Sequence, residues 1–133
     1  MADREAPRDV VLAMYEAINA RDFDAGFALL TPDFEWNEPS QAFYTGAAKG
    51  FDEIRDRLET LLEVFEDYSV EPEAFHEQGD RVAVEVRQRA RGGASGVELE
   101  IRLGHLWTIR GGQIARLDVL ASADDAVRAL KDP

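Results

Sequence analysis

Two ionisable side chains fall where apolar ones are expected, and their types could do chemistry. Glu38 closes the stretch D-F-E-W-N-E-P over residues 33–39, on the same parity as Phe34 and Trp36. A carboxylate held beside aromatic rings is desolvated, its pKa rises, and it becomes a better proton acceptor near neutral pH. The plainer alternative is a solvated glutamate at a strand end, just before Pro39. His105 interrupts a second apolar parity, between Leu103 and Trp107. An imidazole there could donate a proton, present one fixed tautomer, or pair with Glu38. Equally, it could be a neutral core histidine satisfied by a backbone carbonyl or a tyrosine hydroxyl. Tyr15, Trp36, Tyr44 and Trp107 each join an apolar body to one polar atom. That suits a pocket for a small apolar metabolite, and it also suits a plain core. Gln88 shares the apolar parity of its strand, at a pocket mouth or a strand end. Glu38 and His105 are thus the candidate catalytic residues. Tyr15, Trp36, Tyr44, Gln88 and Trp107 are the candidate ligand contacts.

Composition narrows the classes. A chain of 133 residues suits one domain spanning 1–133 and buries enough surface to fold without staples. It has no cysteine, which excludes disulfides and thiolate chemistry. Its formal net charge of -12 opposes phosphate backbones and anionic membranes, so neither nucleic acid nor membrane is an expected partner. No apolar run approaches the roughly 20 residues of a membrane span, and the N-terminus lacks an apolar signal region. A soluble, cytoplasmic protein is the default. His76 and His105 are far apart, and no carboxylates cluster at ligand spacing, so no metal site is expected. Gly92-Gly93 and Gly111-Gly112 sit in hairpin connections rather than before helices, so no phosphate loop is expected. No cofactor is implied.

The elements that must position the candidates follow from periodicity. Pro7 can open a helix whose stripe is Val10, Val11, Met14, Tyr15 and Ile18. Asp22 is an N-cap for a second, shorter helix with Phe23, Phe27 and Leu30 on one face, stopped at Thr31-Pro32. A short strand follows over 33–38. Residues 39–50 read as a loop, and its Phe43 and Tyr44 suggest that it covers something. A third helix spans 51–66. Ser69 to His76 is a strand carrying Pro72, hence at or near an edge. Val82, Val84 and Val86 mark the next strand. From Val97 to Ile109 the apolar residues stand on odd positions, which predicts a long strand with one buried face. A last short helix starts at Ser122, with Asp125 three residues on as in a capping box. Short connections between the later strands predict a mostly antiparallel sheet with its helices on one face.

The turn after Arg110 decides what faces His105. A two-residue turn at Gly111-Gly112 puts Asp118 opposite His105, a His–Asp dyad. A three-residue turn with a bulge puts Leu117 opposite His105 and turns Asp118 outward with Arg116. The second makes Ala115, Leu117, Val119 and Ala121 the inward set, which is the more apolar and is preferred. On the outward parity Leu106, Ile114 and Leu120 interrupt a charged surface and predict a homodimer through that outer face.

Four stretches carry a family resemblance: M-Y-E-A-I-N-A-R-D at 14–22, L-L-T-P-D-F-E-W-N-E-P at 29–39, G-F-D-E-I at 50–54 and H-L-W-T-I-R-G-G-Q-I-A-R at 105–116. Together they resemble the SnoaL-like branch of the nuclear transport factor 2-like superfamily, over nearly the whole chain. The resemblance implies an α+β cone, in which a strongly bent, mostly antiparallel sheet wraps around N-terminal helices and leaves a pocket at the open end. It implies dimers through the outer face of the sheet. This fold hosts enzymes, binding modules and transport factors, so it does not fix the function. Within the superfamily, ketosteroid isomerases place a general-base Asp before a Pro in the first strand, and the matching position is Glu38 before Pro39. Their protonated oxyanion-hole Asp matches His105. Their oxyanion-hole Tyr falls on Met14, one place from Tyr15. The Asp-Arg-Asp set of epoxide hydrolases on this fold has no counterpart on inward positions. Two functions follow as expectations: a cofactor-free acid–base isomerase or cyclase using Glu38 and His105, or a non-catalytic ligand-binding or dimerisation module.

Overall fold

The computed structural model describes residues 6–38, 46–64, 67–91 and 96–131. Pro7 opens α1 (Pro7–Ala20), and the Asp22 carboxylate caps α2 (Phe23–Ala28) by accepting the Ala25 N–H at 3.2 Å. β1 (Leu30–Glu38) follows, then β2 (Gly46–Lys49), α3 (Gly50–Val64), β3 (Ser69–Gln78), β4 (Arg81–Arg91), β5 (Glu98–Arg110), β6 (Gln113–Leu120) and α4 (Ala123–Lys131). The strands form one open, curved sheet in the order β2-β1-β6-β5-β4-β3. β1 runs parallel to β6 and the other pairs are antiparallel. β3 is an edge, as Pro72 requires. β2 lies within 39–50, where only a loop is expected. Four small or charged residues, G-A-A-K, carry no periodic signal, and pairing with β1 alone makes them a strand. β1 also begins at Leu30, not at Asp33, because Pro32 falls in a register shift between Leu30 and Glu35.

Bulges bend the sheet into a cone. Register shifts occur in β1, in β3 between Pro72 and Ala74, and opposite Thr108 and Ile109 in β6. An extra residue on one strand increases local twist and bends it. The inner face so formed carries Val70, Val82, Val84, Val86, Trp107, Ile109, Leu117 and Val119, packed on the α1 stripe Val10, Val11, Met14 and Tyr15. Leu103, His105 and Trp107 face inward and Glu100 and Arg102 are exposed, as the alternation predicts.

Four expectations are corrected. First, Val97, Leu99 and Ile101 are 56%, 45% and 50% exposed. The β4–β5 ladder runs out to Arg91 and Glu98, while burial along β5 begins only at Leu103. Backbone pairing therefore extends the strand beyond the part that is covered. Second, the helices are not all on one face. Ala83, Leu106, Ala126 and Leu130 form a second cluster that seats α4 on the outer face. Third, this disposes of the expected dimer patch. Leu106 lies under α4, Leu120 packs beside it, and Ile114 is fully buried in the inner core. Fourth, the turn is two residues, with Arg110 opposite Gln113, but Ala115 is an extra residue before Arg116 pairs with Thr108. His105 then lies opposite Val119, and Asp118 opposite Leu106 on the outer parity. The preferred face assignment holds, with Leu117 and Val119 inward and Asp118 outward with Arg116, but the turn is the two-residue one and the bulge is displaced into the strand.

Gly104 makes the α4 seat possible. A Cβ there would collide with the Ser122 carbonyl oxygen and stand 2.6 Å from the Ala126 methyl. Backbone on one side and a helical methyl on the other leave little room to relax. Gly104→Ala should therefore destabilise the fold by about 1–3 kcal/mol, the usual cost of overpacking. Urea denaturation of the variant measures it, and an unchanged midpoint would refute the close approach.

Candidate functional site

Three buried polar groups set the floor of the site. The Trp107 indole N–H can only donate, and it donates to the Tyr15 hydroxyl at 2.8 Å. Tyr15 has one proton of its own, and its oxygen lies 2.8 Å from His105 Nδ1. The Tyr15 and His105 rings are parallel, with centroids 5.8 Å apart. Burial holds His105 neutral, its pKa pushed down to about 3, and raises that of Tyr15 well above the usual phenol value. A neutral imidazole has one N–H and one acceptor nitrogen. The Tyr15 proton has no other acceptor among the described residues, so Nδ1 is assigned as its acceptor and the ring proton to Nε2. That N–H has no partner among the described residues, and His105 lines a cavity.

The cavity has a volume of ≈ 80 Å³. One water needs about 10–15 Å³ of such space, so there is room for a small organic group. α1 and α2 supply Met14, Ile18, Phe23 and Phe27, and α3 supplies Ile54 and Leu58. The sheet supplies Phe34, Trp36, Glu38, Val70, Gln88, His105, Trp107, Leu117 and Val119. The expected contacts Trp36, Gln88 and Trp107 are thus in the wall. Tyr15 is not: it stands behind His105, 1% exposed, with its hydroxyl engaged by Trp107 and His105. Tyr44, Phe43 and the cover they were expected to form lie outside the described residues.

Glu38 is at the mouth. Trp36 pairs with Leu117 and Leu117 with Trp107, while Val119 pairs with His105. Two residues further along the parallel pair, Glu38 reaches the Val119 row and stands two strands from His105. Strand spacing puts their Cα atoms about 10 Å apart across a concave face. The Glu38 carboxylate accepts the Trp36 indole N–H at 2.8 Å. Burial raises its pKa above the ordinary carboxylate value, opposed by that hydrogen bond and by the Arg57 guanidinium. Arg57 lies 5.3 Å above the Trp36 ring and donates to the Trp36 carbonyl at 3.4 Å.

Tyr68, which sequence reasoning missed, stands nearby. It lies in the short connection between α3 and β3, where no periodic pattern marks a face. Its hydroxyl accepts the Gln88 side-chain N–H at 2.8 Å. Burial, and then the Glu38 charge, push its pKa up. Asp118 is not part of the site. Arg116 Nε holds it at 2.9 Å and 3.1 Å and Asn37 Nδ2 at 3.1 Å on the outer side. His76 is partly buried and meets Glu85 at 3.0 Å. Among the described residues no group of three His, Asp or Glu side chains could hold a metal ion. No described helix is long and apolar enough to cross a membrane.

A bent sheet closed on one side by α1 to α3, around a largely apolar cavity lined also by Asp22, Glu38 and His105, defines an α+β cone fold. The chain belongs to the SnoaL-like domain family, whose model matches residues 11–117. It is similar to a nuclear transport factor 2-like protein of Burkholderia thailandensis E264, with 26% identity over 97% of this chain and 99% of that one, at a TM-score of 0.81. It is also similar to TerC, co-crystallised with polyporic acid, with 24% identity over 95% and 98% and a TM-score of 0.78. A protein of Jannaschia sp. CCS1, named for SnoaL-like polyketide cyclases, matches with 21% identity over 100% and 97% and a TM-score of 0.76. No curated protein matches the chain.

The His105 environment has a signature in pH. Its folded pKa of about 3 lies below the ordinary 6.5, so below pH 6.5 the unfolded chain takes up a proton that the native state refuses. Stability is therefore lost as pH falls from 6.5 toward 3, by at most about 1.4 kcal/mol per pH unit. His105→Gln keeps a polar partner for Tyr15 and removes the titration. Its stability should change less than that of the wild type between about pH 7 and 5.5, measured by urea denaturation. Equal slopes would refute a buried neutral His105. Tyr15→Phe leaves both His105 Nδ1 and the Trp107 N–H unpaired and should cost about 1–3 kcal/mol for each group.

Proposed function

We propose that the protein is a cofactor-free acid–base catalyst acting on a small, largely apolar carbonyl compound, of the isomerase or cyclase type. The observation that carries this reading is one apolar cavity lined by both Glu38, a carboxyl whose pKa burial raises, and His105, a neutral imidazole with a free N–H. Glu38 takes a proton from the carbon next to the ligand carbonyl. The electron pair of that C–H bond moves into the carbonyl, and the oxygen that gains charge is met by the Nε2–H of His105. A neutral donor suits this task, since its hydrogen bond strengthens as charge develops while its own proton stays in place. Glu38 then returns the proton to another carbon, or the enolate carbon attacks a second carbonyl carbon of the ligand, closing a ring as that C=O π bond opens, and Glu38 gives its proton to the oxygen so formed. A net charge of -12 favours neutral ligands over anions. The resemblance to a protein named as a polyketide cyclase, and to one solved with polyporic acid, supports a small organic ligand. The competing reading, a binding module without a reaction, uses the same cavity and is separated by experiment.

The test is deuterium uptake at the α-carbon of β-tetralone in D2O, followed by NMR. Wild-type protein should accelerate the exchange. Glu38→Gln should reduce the acceleration by roughly a hundredfold or more while the fold persists, since a positioned base contributes about 10²–10⁴. The acid limb of the wild-type rate should fall above the ordinary glutamate range, because burial raises the Glu38 pKa. Saturable binding with no exchange would favour the module, and exchange unaffected by Glu38→Gln would remove Glu38 from the mechanism.

A further inference from the structure

Tyr68 is the cavity-lining residue whose hydroxyl the proposed reaction leaves unused. Three contacts hold it in place. Gln88 Nε2 donates to its hydroxyl at 2.8 Å. Arg21 donates to its carbonyl at 2.7 Å and to that of Ile18 at 3.0 Å, tying it to the end of α1. Asn19 then fastens the chain two residues on, donating to the Val70 carbonyl at 2.8 Å and accepting the Val70 N–H at 2.9 Å. Arg21 makes its contacts from a left-handed backbone, with φ of 60°, the only positive φ at a non-glycine among the described residues. A conformation of that kind costs energy and persists where the surroundings impose it.

The Tyr68 hydroxyl oxygen is occupied by Gln88, so what it has left to offer is its proton. Among the described residues nothing accepts that proton, and the ring lines the cavity. Gln88 and Val84 are four residues apart on β4, and Val84 pairs with His105. Gln88, which holds the Tyr68 hydroxyl, is thus rooted away from the His105 row, so the two donors enter the cavity from different places. We propose that Tyr68 is a ligand-contacting hydrogen-bond donor at the mouth of the cavity, opposite Glu38, and that the ligand is a small apolar molecule with one acceptor oxygen for His105 and a second for Tyr68. The proposal rests on the reading of the cavity as a ligand site and names the chemistry of the ligand's outer end. A carboxylate at that end is disfavoured, since it would stand beside Glu38. A neutral carbonyl or ether oxygen is accepted.

Two matched probes test it: acetophenone bearing a para methoxy group, and the same compound bearing a para ethyl group. They differ in one acceptor oxygen and little in size. By calorimetric titration, wild-type protein should bind the methoxy compound roughly three- to tenfold more tightly, the range of one net hydrogen bond. Tyr68→Phe should abolish the preference by weakening the methoxy compound and leaving the ethyl compound unchanged. Equal binding of the two probes by wild type overturns the proposal whether or not the Tyr68 variant folds, and so does a preference that survives Tyr68→Phe. Both of those outcomes leave the cavity as a ligand site. Failure of wild type to bind either probe removes that reading and the proposal with it.

Discussion

The site depends on a chain of two hydrogen bonds, Trp107 to Tyr15 to His105. One direction satisfies every proton in it. An indole has only a proton to give, a phenol can take one hydrogen bond and give one, and a neutral imidazole needs to be told which nitrogen is the acceptor. The indole therefore sets the phenol and the phenol sets the tautomer, and the one N–H left over belongs to the cavity. Each member is at least nine-tenths buried, so an unmade bond would cost more than a made bond contributes. The aromatic contacts act in the same place: Tyr15 stacks on His105, and Trp107 meets both edge-on. α1 is thereby locked to β5 by the same atoms that fix His105 in the cavity wall.

The rest of the architecture brings other walls to that floor. Bulges in β1, β3 and β6 curl the sheet, which lets Glu38 on β1 and Gln88 on β4 line one concavity although β6 and β5 lie between their strands. The two ionisable groups are then treated differently by burial. A deeply buried imidazole is held neutral, and a partly buried carboxyl at the mouth keeps its charge less readily than one in water while Arg57 and Trp36 restrain the shift. A base and a neutral donor with separated pKa values is what proton transfer at a carbonyl compound calls for. On the opposite side of the sheet, α4 occupies the patch that would otherwise be an apolar surface, and Gly104 lets it approach.

Much of this was legible in the residues themselves. The parity of β1 and β5 and the α1 stripe put Phe34, Trp36 and Glu38 on one face, and Leu103, His105 and Trp107 on another, because side-chain direction in a strand or helix follows from local geometry alone. Asp22 and Ser122 identified helix starts by local capping chemistry, and both caps are made. The four motif stretches pointed to the cone. Tertiary structure alone decided what those faces meet. Alternation along β5 is uniform from Val97 to Ile109, yet only its second half is covered, since burial depends on what lies above a strand. Leu106 and Ile114 share a sequence parity but end on opposite sides of the sheet, because the two-residue turn sets Ile114 opposite the inward-facing Ile109. Tyr15 was marked as a pocket residue by its type, but its neighbours use up its hydroxyl, and hydrogen-bond partners ninety residues away cannot be read from a local pattern. Tyr68 sits in a connection without periodicity and enters the site only through contacts from Gln88 and Arg21. The sequence by itself determined which residues could share a face. Which of them share a cavity, and with which proton in which place, was decided by long-range packing.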